Sequence, residues 1–380
     1  MTASRREFLL FSAGIASVAL PWSSNVFSLK EGPGFLVAEE NAPILLYSNE
    51  NAYGPSPKVT EAMRAAIGGS NRYPRLRYRE LKERIAAYHK VAADRVLLGC
   101  GSTEILRMGA CAFLGKDKQL IHGSPTFEAI EHYARTVDSQ MVEVPLTASF
   151  AHDLERMLAK VTPSTTLVYI CNPNNPTGSL TPRKDLEAFI AKVPASTVVI
   201  VDEAYHHYAG GSAMYASFID HPIHDDKVIV ARTFSKVYGL AGLRLGYAVG
   251  SPTVLERMKK FSTEDNINAI ATQAAFAALD DSEGTSTFIE HNANDRQEFF
   301  NQAMARALKP IDSHTNFVMM NTFHQADEII QQFRKRNIMI GRHFRPMDTF
   351  IRVSLGLPEE MQAFWKAWDL LPYPRNMMHH

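Results

Sequence analysis

From Val59 to Gly250 the chain alternates two kinds of text. SPKVTEAMRAAI and RYRELKERIAAYHK space their apolar residues three and four apart among good helix formers, which predicts amphipathic helices. RVLLGC, TLVYIC, TVVIVD and KVIVART are short apolar or β-branched runs with no polar alternation. A strand of that kind is buried on both faces. Such strands alternating with helices predict a parallel sheet covered on both sides. After Gly250 the text changes. A long mixed helical segment, Val254 to Leu308, leads to NFVMMNTF, a further helix, NIMIGRHF and FIRVSLG. The expected fold class is α/β. Residues 59–255 form a large domain with a mostly parallel sheet flanked by helices, and residues 256–380 a smaller C-terminal α+β domain.

The N-terminus breaks this pattern. MTASRREFLLFSAGIASVALPWSS sets Arg5 and Arg6 before an apolar stretch from Phe8 to Leu20, which is short for a membrane span. Ser17, Val18 and Ala19 offer small residues for cleavage. The S-R-R-x-F-L run resembles a twin-arginine signal, an address read by the twin-arginine export machinery. Residues 1–27 are therefore expected to be an export signal and 28–58 an N-terminal arm. The expected location is periplasmic or otherwise exported. The alternative is a cytoplasmic protein whose first helix has a basic start.

Composition narrows the function. Forty Lys and Arg balance forty Asp and Glu, so no basic field is present to hold nucleic acid. Cys100, Cys111 and Cys171 make neither a CxxC nor a Cys/His pattern, and no metal or disulfide framework is expected.

The chemistry-bearing residues fall just past the C-terminal ends of the predicted strands, where open parallel sheets bind ligands. Gly101, Ser102 and Thr103 follow RVLLGC and open a helix; they suit a phosphate, although a plain helix cap accounts for them as well. The turn NPNNPTG, holding Asn175, follows TLVYIC and directs amide side chains to the strand ends, or is a sharp turn only. Asp202 ends an apolar run, where a carboxylate needs a partner such as a protonated ring nitrogen; the competing role is a cap for the next helix. Tyr205 lies three residues on. In TFSKVYGLAGLRLGY, Lys236 stands among Thr233, Ser235 and Arg244. A lysine amine condenses with aldehydes, and an arginine fork binds two phosphate oxygens. An amine, a phosphate cradle and an acid for a ring nitrogen together match pyridoxal phosphate.

Six motifs in order carry a resemblance: SNENAYGPSP, GCGSTEIL, NPNNPTG, VVIVDEAY, TFSKVYGLAGLRLGY and FIRVSLG. The chain resembles the fold-type I pyridoxal-phosphate aminotransferases, and among them the histidinol-phosphate aminotransferase family. The resemblance implies that Lys236 forms the Schiff base and shuttles the proton. It implies that Asp202 pairs with the pyridinium nitrogen, and that Asn175 and Tyr205 bond the phenolic oxygen. Phe127 would stack on the ring. Gly101, Ser102, Thr103, Thr233, Ser235 and Arg244 would hold the phosphate. Tyr53 would reach the cofactor phosphate of a neighbouring subunit, which requires a homodimer with shared active sites. Arg352 would bind the substrate's acidic group, and Arg342 stands where that branch supplies a second arginine.

The implied reaction is a ping-pong transfer from an amino acid or amino-alcohol phosphate to a 2-oxo acid. The same scaffold and lysine also serve decarboxylases and lyases, and a non-catalytic exported binding protein is the third reading. Two residues depart from the family pattern, Ala52 in the arm and Phe127 where tyrosine is common. The export signal is a third departure, and it separates the chain from a cytosolic biosynthetic role.

Overall fold

The computed structural model describes residues 42–222 and 225–372. The expected export signal, residues 1–27, lies outside the described residues. In chain order the strands are β1 (Ile44–Leu46), β2 (Val96–Gly99), β3 (Gln119–Ser124), β4 (Gln140–Pro145), β5 (Thr165–Cys171), β6 (Val198–Asp202), β7 (Val228–Thr233), β8 (Gly246–Gly250), β9 (Lys309–Pro310), β10 (Phe317–Asn321), β11 (Ile338–Ile340) and β12 (Phe350–Ser354). Seven of them form one sheet in the order β2-β8-β7-β6-β5-β3-β4. From β7 to β4 all neighbours are parallel, and β8 runs antiparallel to both β7 and β2.

The unbroken apolar runs behave as two-faced strands. In β6, Val199 and Val201 enter one apolar layer while Val198 and Ile200 enter the other. Neighbouring β5 splits the same way, Val168 and Ile170 against Leu167 and Tyr169. The Arg75–Tyr88, Arg183–Lys192 and Ala269–Leu279 helices cover the first face, through residues such as Leu81, Phe189 and Ala275. The Gly101–Phe113, Ala129–Thr136 and Pro252–Lys259 helices cover the second, through Leu106, Ile130 and Met258. Each large side chain so buried contributes about 1.5–3 kcal/mol.

The helical text from Val254 to Leu308 resolves into three helices, Pro252–Lys259, Ala269–Leu279 and Ser282–Ala305. Beyond it, β9, β10 and β12 form an antiparallel sheet, and β11 pairs in parallel with β1 from the N-terminal arm. A separate apolar core that includes Phe333, Phe364 and Trp365 backs these strands. Among the described residues no helix is long and apolar enough to cross a membrane.

Candidate active site

The C-terminal ends of β5, β6 and β7 open on one cavity of about 580 Å³. Of the residues expected to serve the site, Ser102, Thr103, Phe127, Asn175, Asp202, Tyr205, Thr233, Ser235, Lys236, Arg244, Arg342 and Arg352 all line it. Gly101 lies immediately behind, at the start of the Gly101–Phe113 helix. Tyr53 is not brought to this cavity: its hydroxyl donates to Asp295 at 2.9 Å, and its ring packs on His291.

Lys236 follows β7 by three residues, so the sheet delivers its amine to the strand ends. Nζ donates to the carbonyl oxygens of Asn49 at 3.0 Å and Ser48 at 3.3 Å in the arm. Burial, joined by the nearby Arg352 charge, pulls its pKa down to about 8.

Asp202 is the last residue of β6 and is 1% exposed. Burial pushes its pKa up to about 6, against the pull of its hydrogen-bond donors. Those donors are the Tyr169 hydroxyl at 2.9 Å and the Ala204 amide at 3.1 Å. Asp202 pairs with Cys171 across β5 and β6, which sets Tyr169 two residues back on the same face.

Three close approaches build the expected phosphate end. Gly101 has φ +76°, and a Cβ there would stand 2.5 Å from the Arg244 guanidinium. A Cβ on Gly246 would stand 2.3 Å from the Ser102 amide nitrogen. Thr233 Oγ1 donates to Ser235 Oγ at 2.9 Å, and Arg244 Nη1 reaches that same oxygen at 3.5 Å. The result is a bare helix N-terminus with hydroxyls and a guanidinium around it, a donor set made for a phosphate dianion.

Arg352, on β12, is 7% exposed. It donates from Nη1 to Asn175 Oδ1 at 2.6 Å and from Nη2 to the Tyr47 carbonyl at 2.5 Å. Its Nε is buried with no hydrogen-bond partner among the described residues. Burial brings its pKa down to about 10. Arg342 lies in the loop after β11 and forms an ion pair with Glu128.

Some participants carried no readable signal. Tyr169 sits in an apolar strand, where a tyrosine reads as core; its one polar atom was the only clue. Asn49 belongs to a recognised motif without an assigned task. Its Nδ2 donates to the Tyr205 hydroxyl at 2.9 Å, while Ser354 Oγ and the Asn316 side chain tie its backbone to the C-terminal strands. Burial raises the Tyr205 phenol above its ordinary value, so the group stays protonated and can donate.

These residues fit pyridoxal phosphate. An amine with a lowered pKa, a buried carboxylate that makes no ion pair among the described residues, an aromatic plane at Phe127 and a glycine-lined anion cradle surround one space. The orphaned Arg352 Nε leaves a donor for an acidic substrate group.

Comparison with known proteins agrees. Residues 42–367 match the family described as aminotransferase class I and II. The histidinol-phosphate aminotransferase of Moorella thermoacetica is 34% identical over 326 residues, covering 85% of this chain and 84% of that protein. Histidinol-phosphate aminotransferase 2 of Pseudomonas aeruginosa is 36% identical over 331 residues, covering 86% and 88%. The crystal structure of histidinol-phosphate aminotransferase from Sinorhizobium meliloti in complex with pyridoxal-5'-phosphate superposes with a TM-score of 0.81 at 28% identity, covering 86% of this chain and 89% of that one. With the fold, the cavity and these relatives in agreement, the chain belongs to the class I and II aminotransferase family and is a pyridoxal-phosphate-dependent aminotransferase.

Proposed function

We propose that this cavity transfers an amino group from an amino donor carrying an acidic group to a 2-oxo acid, in two half-reactions that share Lys236 as proton carrier. The observation that carries the reading is the convergence of Lys236, Asp202, Arg244 and Arg352 on one cavity from three segments of the chain: the end of β6, the β7–β8 connection and β12.

Pyridoxal phosphate, when bound, supplies an aldehyde for amines and a cationic ring that takes up the electron pair left at the substrate Cα. Ser102, Thr103, Thr233, Ser235 and Arg244 would hold its phosphate. Asp202 would accept from the ring N–H and keep that proton in place; Tyr169 and the Ala204 amide hold the carboxylate in position. Tyr205 and Asn175 would donate to its phenolic oxygen, and Phe127 would stack on the ring. Arg352 binds the donor's acidic group and so aims the Cα–H bond at Lys236. The Lys236 amine, neutral at mildly alkaline pH, would take up the Cα proton and hold it for return to the product. General-base assistance of this kind contributes roughly 10²–10⁴-fold.

The reading extends to assembly and location. Tyr53, turned away from its own cavity, acts at the phosphate of a second subunit in a homodimer. The Arg5-Arg6 segment is a twin-arginine address, and the enzyme works outside the cytoplasm.

The test is a half-reaction screen. Cofactor-loaded protein is mixed with amino acids and with histidinol phosphate, without acceptor. At least one donor is expected to shift the cofactor absorbance and release one oxo product per site. A cofactor band that no donor moves rejects transamination. Full turnover by Lys236→Ala rejects the lysine assignment. Equal mixing of Tyr53→Phe and Lys236→Ala subunits tests the shared site, because random pairing restores about a quarter of the sites only if Tyr53 acts across the dimer.

A further inference from the structure

Glu128 and Arg342 meet at the cavity wall. Glu128 follows the aromatic Phe127 after β3, and Arg342 follows Gly341 after β11. Their side chains form an ion pair, 57% and 53% exposed, that joins the segment leaving the large sheet to the segment leaving the β1–β11 pair. Beside it, Phe344 receives both arginines: Arg342 Cζ lies 4.2 Å from the ring centroid and Arg352 Cζ 4.6 Å.

A second cavity, about 470 Å³, shares Thr126, Glu128, Arg342 and Phe344 with the first. Its walls add the carboxylates of Glu131, Glu143 and Asp327, against His343 and Arg345. The negative charge next to Arg342 is therefore not one residue's accident.

Two arginines on one cavity would favour a doubly charged phosphate. The ion pair changes that balance. Arg342 is already matched by a carboxylate, whereas Arg352 makes no ion pair among the described residues. A ligand oxygen approaching Arg342 also approaches Glu128, and a dianion is repelled about twice as strongly as a monoanion.

We propose that Glu128 is a specificity-determining residue. It neutralises Arg342 and turns the substrate end of the cavity toward amino acids bearing a single carboxylate, and away from amino-alcohol phosphates. The proposal rests on the transaminase reading and gives its substrate class.

The test uses two probes with the same arylalkyl tail, 3-phenylpropionate and phenethyl phosphate. Neither has an amine, so neither can react. Calorimetry on cofactor-loaded protein at pH 8, where a phosphate monoester is largely dianionic, gives a ratio of affinities. Wild type is expected to bind the carboxylate more tightly. Glu128→Gln moves the ratio toward the phosphate by about three- to tenfold, the effect of one half-exposed charge on a ligand carrying one extra charge. Adding Arg342→Met to Glu128→Gln removes that shift. The proposal fails if wild type prefers the phosphate, if Glu128→Gln leaves the ratio within about twofold of wild type, or if the shift survives loss of Arg342. Failure of transamination is seen separately, as a cofactor band that no amino donor moves.

Discussion

The Tyr169 hydroxyl donates a 2.9 Å hydrogen bond to Oδ2 of Asp202, and both residues are buried in the middle of the large sheet. Adjacent parallel strands hold this pair, so the bond is set by strand register and not by a mobile loop. A tyrosine in that place gives the carboxylate one fixed orientation. It also opposes the rise in pKa that burial imposes on Asp202.

Tyr169→Phe keeps the volume and removes the donor. Hydrogen bonds to charged groups contribute about 1.5–3 kcal/mol, so cofactor affinity is expected to fall by roughly tenfold or more. A purely structural tyrosine would lower affinity evenly at all pH values. A positioning tyrosine also moves the acid limb of the affinity-against-pH profile upward, because the Asp202 pKa rises further. Affinity measured from pH 5 to pH 9 separates the two, and an unmoved acid limb counts against the assignment.

Asp202 itself is expected to weaken the cofactor-free protein. Its folded pKa, about 6, lies above the ordinary 3.8. The sign is then that of a group more easily protonated when folded. Its stabilising contribution is complete below about 3.8 and is lost as the pH rises through about 6. At pH 8 the cofactor-free protein holds a buried carboxylate that makes no ion pair among the described residues. Asp202→Asn should raise the melting temperature of the cofactor-free protein at pH 8 by about 2–4 °C, with the gap closing toward pH 5. In loaded protein the order reverses, since the ring N–H loses its anion. Calorimetric scans at both pH values, with and without cofactor, check both halves.

The Lys236 amine should capture the cofactor at unusually low pH. Burial disfavours its charged form, so the neutral amine gains population as the pH rises through about 8, whereas an ordinary lysine needs a pH above about 10. The rate of capture by cofactor-free protein is expected to rise about tenfold per pH unit below 8 and then to level off. Stopped-flow absorbance follows it directly. A rate still climbing tenfold per unit at pH 10 would show that the lysine is not desolvated.

Gly246→Ala tests the cradle. The new methyl group would lie 2.3 Å from the Ser102 amide nitrogen and 2.6 Å from the Gly101 carbonyl carbon, both backbone atoms. Overpacking of this kind costs about 1–3 kcal/mol. Here it pushes directly on the helix start, so cofactor affinity should fall by about tenfold while stability drops only moderately. Gly242→Ala, where a Cβ meets nothing within 4 Å, is the control. Equal losses in the two variants would rule out a special role for the close approach.

Much of this molecule was legible along the chain. Four unbroken apolar runs predicted four strands of a largely parallel sheet, because a strand covered on both faces has no reason to alternate; β5, β6 and β7 are its central parallel strands, whereas β2 is an edge strand antiparallel to β8. The position of Lys236, Asp202 and the NPNNPTG turn after such runs marked the site, because parallel strands present their C-terminal ends together. Three strands of the same sheet were not read. β4 is a half-exposed edge, β3 carries Gln119, His122 and two small residues, and β8 is GYAVG, whose glycines weaken any strand signal.

What the sequence by itself determined was the set of reacting groups and the kind of sheet that gathers them, since side-chain chemistry and strand patterning are local properties. Only the tertiary structure decided which groups meet. Tyr169 became a partner of Asp202 through strand register, Asn49 a partner of Tyr205 across 156 positions of chain, and Glu128 a partner of Arg342 through two loops far apart in sequence. Contacts of that range depend on how the elements pack, and no residue announces them in its own neighbourhood.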